Sequence, residues 1–471
     1  MDKQPHAVIV GAGPNGLTAA ARLATAGWCV DVYERASHPG GAAVSSTEIF
    51  PGTIVDLGAA GHPFGIASPA FRALDLESHG LRWRHAPYPM AHPLEDAPAG
   101  ILHNSLEETA AGLGTDARAW TRLHGHVVRN IDEHVNNALT PLVRWPEHPV
   151  RLAQFGAPGV LPASALARAA FTSPQARALF AGSAVHAIAS PTRAFTSAFG
   201  LLFGALGMTR GWPVVEGGTQ ALADALVSLL HSHNARIHTG ADITDVRSLP
   251  RADALILNLT PRQVLSLGGL DLPARTQRSL RRWRYGSAVY KVDFHLSEPV
   301  PWADPRVGQA GTVHVGGSVE EIGGAERDIG KRRMPVNPLV MVCQQYVADP
   351  SRGLVLWTYA HVPHGYEERY PREVTGLIAR QIERFAPGFR DTILATRATS
   401  PADLERWNPN LVGDDIAGGA MTGLQTVLRP RLSAHPHRLA PGIFMASGST
   451  APGAGVHGMP GWWAAGDVAT P

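Results

Sequence analysis

Apolar and polar positions along this chain fall into three stretches of strand–helix–strand character, separated by two regions of different texture. Residues 7–10 form a short unbroken apolar run, as expected of a strand buried on both faces. Residues 17–26 carry helical spacing and stop at Gly27, a residue suited to the first position past a helix. A second apolar run spans 29–33 and ends at Glu34. From about residue 76 to 149, Pro, His and Trp become frequent and the helical signal is patchy. Residues 151–212 are rich in Ala, Leu, Phe and Gly, which predicts packed helices with little polar surface. A turn at Gly217-Gly218 then opens a new unit. Thr219 is the expected N-cap of a helix running to Leu230, followed by short strands at 235–238 and around Ile243. Residues 252–260, A-D-A-L-I-L-N-L-T, read as a buried parallel strand, and 285–296 and 352–360 as further strands. From Gly442 the pattern returns to strand, glycine loop and short helix.

This pattern predicts an α/β fold with one discontinuous nucleotide-binding domain, at 1–75, 215–265 and 400–471. A substrate-binding α+β domain is inserted at 76–214 and 266–399, with its apolar helical part at 151–212. A length of 471 residues suits two or three domains. Lys plus Arg is 41 and Asp plus Glu is 39, so the chain has no basic footprint for nucleic acid and no acidic tail. Only Lys3, Lys291 and Lys331 are lysines. The two cysteines, Cys29 and Cys343, exclude a disulfide framework and a C-x-x-C redox pair, and both lie in apolar runs that suit buried small residues. The first strand begins at Ala7, which leaves no room for a targeting peptide. The longest uncharged stretches, 178–192 and 194–209, fall short of the ~18–20 residues that span a bilayer. The expectation is a cytoplasmic protein that can touch a membrane peripherally.

The central motif is V-I-V-G-A-G-P-N-G-L. Gly11 makes the tight turn after the strand, Gly13 admits a pyrophosphate to the backbone, and Gly16 lets helix and strand pack closely. Pro14 suits the first helical turn, Asn15 follows it, and the helix N-terminus offers N–H groups to phosphate. Glu34 closes the second strand, where a carboxylate accepts ribose hydroxyls and repels a 2′-phosphate. Arg35 follows, then His38-Pro39-Gly40-Gly41-Ala42.

A Gly-Gly pair beyond the ribose-binding acid resembles FAD-dependent oxidoreductases of the amine oxidase and phytoene desaturase type. G-W-P-V-V-E-G-G-T-Q-A-L resembles a further segment of phytoene desaturases, and A-R-I-H-T-G-A-D-I-T-D-V the strand whose apolar residue, here Ile243, lies against adenine. I-F-M-A-S-G-S-T-A-P-G-A-G-V-H-G-M-P-G-W-W resembles the family's closing flavin motif, which brings in Gly448, Ser449, Val456, His457 and Gly458. The chain most resembles the phytoene-desaturase-related branch that includes pyridine nucleotide-disulfide oxidoreductase domain-containing protein 2. The resemblance implies a two-dinucleotide-binding-domain flavoprotein that binds FAD and passes hydride from a C–C or C–N bond of an apolar small molecule to flavin N5, with oxygen or a quinone as acceptor. Two departures stand out. The family's G-G-R is Gly40-Gly41-Ala42, and the G-D of its closing motif is Ser447-Gly448-Ser449.

Three residues are the candidates for chemistry. Lys291, inside a strand, resembles the amine oxidase lysine that holds a water at flavin N5; the alternative is a solvent-facing lysine on an edge strand. His457 lies in the closing motif, and His62 follows D-L-G-A-A-G on the expected substrate side; each is equally readable as a satisfied loop histidine. His231/His233 and His435/His437 lack the partners of a metal site, and none is expected. The helices of 151–212 read as core or as an apolar tunnel. A non-redox escort protein on the same fold, like the Rab escort proteins, and a flavin-dependent isomerase remain alternatives.

Overall fold

The computed structural model describes residues 4–142, 144–426 and 428–469; the expected outer domain limits at 1 and 471 lie outside them. Two sheets organise the chain. The first is built from β1 (His6–Val10), β2 (Cys29–Tyr33), β5 (Arg236–His238), β6 (Ala254–Leu257), β12 (Arg438–Ala440) and β13 (Ile443–Met445), in the spatial order β12-β13-β6-β1-β2-β5. All its pairings are parallel except β12 with β13. The second contains β3 (Tyr88–His92), β4 (Gly100–Leu102), β7 (Ala288–Leu296), β8 (Ala310–Val315), β9 (Val340–Cys343), β10 (Val355–Val362) and β11 (Ile393–Thr399), in the order β11-β7-β10-β9-β8-β3-β4. Only β3 with β8 is parallel there.

The central strand β1 is buried on both faces, which its unbroken apolar sequence requires. On one face lies α1 (Pro14–Thr25), which places Leu17, Ala20, Ala21 and Leu23 in the core. Proline at its N1 position and Gly27 (φ +85°) just past its end bound it in the expected way. The last helix, α6 (Met459–Ala469), packs against α1, and Gly461 permits the contact: a Cβ there would lie 1.8 Å from the Asn15 carbonyl oxygen. A helical layer, with α2 (Pro149–Gly159), α3 (Pro174–Ala184) and α4 (Thr196–Arg210), covers one side of the second sheet. α4 is apolar all round and almost wholly buried, as such a helix must be.

Three local expectations are corrected. No strand forms around Ile243; Asp245 instead caps a 3₁₀ turn by accepting from Arg247 N at 2.8 Å, and it makes only an isolated bridge to Gly268. Polar neighbours on both sides of Ile243 give a strand no second buried face. Thr219 does not cap α5 (Gln220–Ser232) with its side chain. Asp56 does so from far along the chain, accepting from Thr219 N at 2.9 Å, while Ser45 Oγ accepts from Gln220 N at 3.1 Å. Strand β7 begins at Ala288 and β10 at Val355, each three residues later than the sequence suggests.

Asp56 also joins the two halves. It receives Arg352 Nη1 at 2.8 Å and Gln345 Nε2 at 2.6 Å, and its backbone oxygen accepts from Trp357 Nε1 at 3.1 Å. Arg352 and Asp56 are both fully buried, and the guanidinium holds the carboxyl below its usual range against the opposing effect of burial.

Candidate functional site

The glycine turn after β1 is built around one side chain. Gly11 (φ +96°) donates its N–H to the Tyr33 oxygen at 2.8 Å. A Cβ on Gly13 would sit 2.9 Å from Asn258 Nδ2, and one on Gly16 would sit 2.0 Å from the Gly11 oxygen. Asn258, at the end of β6, fills the remaining space and donates to the Gly11 oxygen at 3.3 Å. The second glycine pair lies directly against the first: Gly40 donates to the Ala12 oxygen at 2.9 Å, and a Cβ on Gly41 (φ +58°) would stand 2.8 Å from Gly13 Cα. Backbone thus meets backbone, and the first-turn N–H groups of α1 face open space with no intrahelical acceptor.

That space is one cavity of about 1420 Å³. Gly11, Gly13, Pro14, Asn15, Glu34, Arg35, Gly41, Ala42 and Ile243 line one end. Glu34 is held there by accepting from Ala12 N at 2.6 Å and Ala36 N at 2.9 Å. Gly448, Val456 and His457 line the middle. Gly16, Gly40, Ser449 and Gly458 stand behind the wall; the Ser449 hydroxyl donates to the oxygen of Gly418, which lines the cavity. Gly458 (φ +68°) has no room for a side chain beside Thr18 Oγ1, which sets the close seat of α6 on α1.

The far end is apolar. Phe155, Phe199 and Phe203 from the helices, Trp212, and Met341, Val289 and Tyr359 from the second sheet enclose it. His186 also borders it, with Nε2 2.9 Å from His314 Nε2. Ligand pockets commonly measure ~300–1,000 Å³, so this volume holds a dinucleotide-sized molecule with room left beyond it. The cradle fits FAD on its own geometry: three glycines and Gly41 keep side chains off the floor, helix N–H groups point in, and Glu34 stands where ribose hydroxyls would be.

The three candidates for chemistry all border the cavity, in different states. Lys291 is not on an edge: β7 lies between β11 and β10. It is buried, donates to Asp293 and stands 5.6 Å from the Trp357 ring centre. Burial pushes the lysine down and the carboxyl up, so both are drawn toward neutrality. His62 points Nε2 at the Thr219 hydroxyl, 3.0 Å away. That hydroxyl gives its proton to Asp56, so His62 carries its hydrogen on Nε2 and leaves Nδ1 as a buried, unpartnered lone pair. Burial holds His62 down to about 4. His457 is used twice by its own loop: Nδ1 accepts from Met459 N at 3.2 Å, capping α6, and Nε2 donates to the Ala454 oxygen at 3.3 Å. Burial lowers it to about 4.

Three further residues border the cavity without having been singled out from the sequence: Asn258, His186 and Asp415. Asn258 carried a signal, a polar residue closing the apolar run L-I-L-N at a strand's carboxyl end. Away from the cavity, His6, Cys29 and Asp31 come together on β1 and β2, but Arg236 and His238 already engage both Asp31 oxygens, at 2.6–2.8 Å.

Residues 9–75 match the family described as NAD(P)-binding Rossmann-like domain. The chain is 24% identical over 540 aligned positions to pyridine nucleotide-disulfide oxidoreductase domain-containing protein 2 of Rattus norvegicus, covering 97% of this chain and 91% of that one. It is 36% identical over 111 positions to a limonene dehydrogenase subunit from Castellaniella defragrans, covering 24% of this chain and 20% of that protein. Among solved structures, wild-type putrescine oxidase bound to putrescine superposes with a TM-score of 0.63 at 17% identity over 100% of both chains. The fold is therefore a discontinuous Rossmann-like dinucleotide-binding domain of the two-dinucleotide-binding-domain flavoprotein type, carrying an inserted substrate domain.

Proposed function

We propose that this chain is an FAD-dependent oxidoreductase of the phytoene-desaturase-related kind that takes hydride from a C–C or C–N bond of an apolar small molecule. One observation carries the reading: a single cavity runs without interruption from the glycine cradle and Glu34 to a compartment walled by Phe199, Phe203, Trp212 and Tyr359. When bound, FAD supplies a hydride acceptor at N5 of its flavin ring. The α1 N-terminus holds the pyrophosphate and Glu34 the ribose. The aromatic walls orient the substrate and exclude water, which strengthens every polar interaction inside. Lys291, desolvated beside Trp357, is, among the described residues, the one amine on this wall and the residue we assign to proton or water handling there. His62 offers a bare Nδ1 as a second acceptor, whereas His457 organises the closing loop.

The resemblance to a limonene dehydrogenase subunit, named for an apolar hydrocarbon, supports a C–H bond without a charged handle as the point of attack. Oxygen or a quinone completes the cycle. Leu142 and Val160 border the cavity and are half exposed, with Trp145, Val150 and Leu161 exposed nearby. This apolar rim supports delivery of substrate from a membrane surface to a cytoplasmic enzyme. Among the described residues no helix is long and apolar enough to cross a membrane.

The test is the absorption spectrum of the purified protein, then anaerobic reduction and readmission of air. Bands near ~370 and ~450 nm that bleach and return support the reading. Protein that stays colourless after FAD is added refutes it and favours an escort role. A redox-neutral product from a panel of alkenes, terpenoids and amines would indicate an isomerase.

A further inference from the structure

Arg429 is a buried cation, 1% exposed, with no ion pair among the described residues. Nη2 donates to the carbonyl oxygens of Ala417 (3.1 Å) and Gly419 (2.7 Å), but Nε and Nη1 have no acceptor. The Trp283 ring lies 5.3 Å from the guanidinium carbon, and Trp283 Nε1 is itself occupied by the Gly418 oxygen at 3.0 Å. Of the neighbouring acids, Asp415 attracts the guanidinium, but among the described residues it forms no ion pair with it. Asp415 accepts from the backbone N–H groups of Gly286 (2.6 Å) and Ala417 (2.9 Å), and burial pushes its carboxyl up. Asp414 accepts from Val289 N at 3.2 Å and is pushed to about 9. A charge held out of water without a partner is costly, so the arrangement is expected to gain one when a ligand arrives.

The direction from which that ligand comes is set by Gly453. A Cβ on Gly453 would stand 3.1 Å from Arg429 Nη1, and Gly453, with Pro452 and Ala454, walls the cavity. Only a side-chain-free residue therefore separates the unpartnered Nη1 from the ligand space. The loop is tied to Arg429 by its backbone as well, since Ala451 N donates to the Arg429 oxygen at 3.2 Å.

We propose that Arg429 is the fixed positive charge that stabilises the reduced over the oxidised flavin, acting through the glycine wall of the closing loop. This rests on the FAD reading above. Reduction by two electrons and one proton leaves the flavin with one more negative charge than before. A cation behind the loop favours that form and raises the reduction potential.

The experiment is the two-electron potential of FAD-loaded protein, measured by slow anaerobic dithionite reduction against a reference dye, for wild type, Arg429→Met and Arg429→Lys. Loss of the cation is expected to weaken binding of the reduced relative to the oxidised flavin at least tenfold, a negative shift of ~30 mV for this two-electron couple. Arg429→Lys retains the charge and most of the potential. Sulfite is the second probe. Its sulfur adds to flavin N5 and leaves a negative charge on the pyrimidine ring, with no net electron transfer. Wild-type holoprotein is expected to bleach reversibly with sulfite, and Arg429→Met to need at least tenfold more. An unchanged potential in Arg429→Met, or equal weakening of both flavin forms, overturns the proposal and leaves Arg429 as a tie between turns or a pyrophosphate contact. Wild-type holoprotein that ignores sulfite overturns it even if the methionine variant fails to fold. Wild-type protein that takes up no FAD removes the flavin reading itself, a distinguishable result.

Discussion

Acidification from pH 6 to pH 5 will destabilise this protein, above the range where an ordinary carboxylate titrates. His62, His92, His124, His437 and His457 are fully buried, and burial holds each down to about 4. In the unfolded chain each titrates near ~6.5. Between those values the unfolded chain binds protons that the folded chain refuses, so stability falls as pH falls. His134, at about 4, and His186, at about 3, act in the same sense. Asp414 opposes them: pushed up to about 9, its folded form keeps a proton that the unfolded form sheds above ~4, and its contribution grows on acidification. Asp293 and Asp415, also raised by burial, add to that opposition. Asp31 and Asp56 are held low, so their contribution is lost only below the window, as pH falls through their folded values. Unfolding thus takes up a net of at least ~2 protons between pH 6 and pH 5, and each is worth ~1.4 kcal/mol per pH unit. The expected loss is ~3 kcal/mol. Urea unfolding at the two pH values, with the m-value checked for constancy, measures it. A change below ~1 kcal/mol, or a gain, would refute the premise that the histidines are buried and neutral.

Glu34→Ala removes the acceptor for two loop N–H groups and for the ribose; FAD affinity by fluorescence titration should fall ~10–100-fold, given ~1.5–3 kcal/mol for hydrogen bonds to a charged group. Gly16→Ala forces a Cβ to within 2.0 Å of the Gly11 oxygen, and should displace α1 and cost ~1–3 kcal/mol or more together with the bound flavin; a variant that keeps both would show that the turn can yield. Asp56→Asn leaves Arg352 only its longer pairing with Asp349, at 3.6 Å, and should cost up to ~3–5 kcal/mol in urea unfolding. Lys291→Met should slow flavin reduction by substrate at least ~10-fold in the FAD-loaded protein, the low end of acid–base contributions; an unchanged rate would reduce Lys291 to a packing residue.

What the sequence made legible is what the chain builds locally. The turn from β1 into α1 is complete within residues 6–25, so its glycines, Pro14 and the position of Glu34 could be read directly. What depends on distant partners could not. Whether Lys291 faces solvent is settled by β10 and β11 on either side of its strand. Thr219 looked like a cap because caps are usually local, yet Asp56 reaches the helix end from another unit and frees the threonine to bridge to His62. Arg429 gave no signal, since an arginine's burial and lack of a partner follow from Trp283, Asp415 and Gly453 converging on it. Ile243 shows the opposite failure: a local apolar residue promised a strand, but its neighbours are polar and the pairing beside it stops at a single bridge to Gly268.

The order of strands in the first sheet has a consequence for how the protein is made. β6 takes one neighbour, β1, from a segment synthesised long before it and the other, β13, from one synthesised long after it. The closing loop and α6 follow β13 directly. Until β13 has been synthesised, that edge of β6 has no partner and the cradle lacks the wall the closing loop supplies. Cofactor loading then waits for this segment, and the nascent chain must be kept from pairing the open edge with another copy. A ribosome stalled before residue 443 would hold a chain with its glycine turn formed and no flavin in it, and the yield of holoprotein in a cell would depend on chaperone capacity as much as on FAD supply.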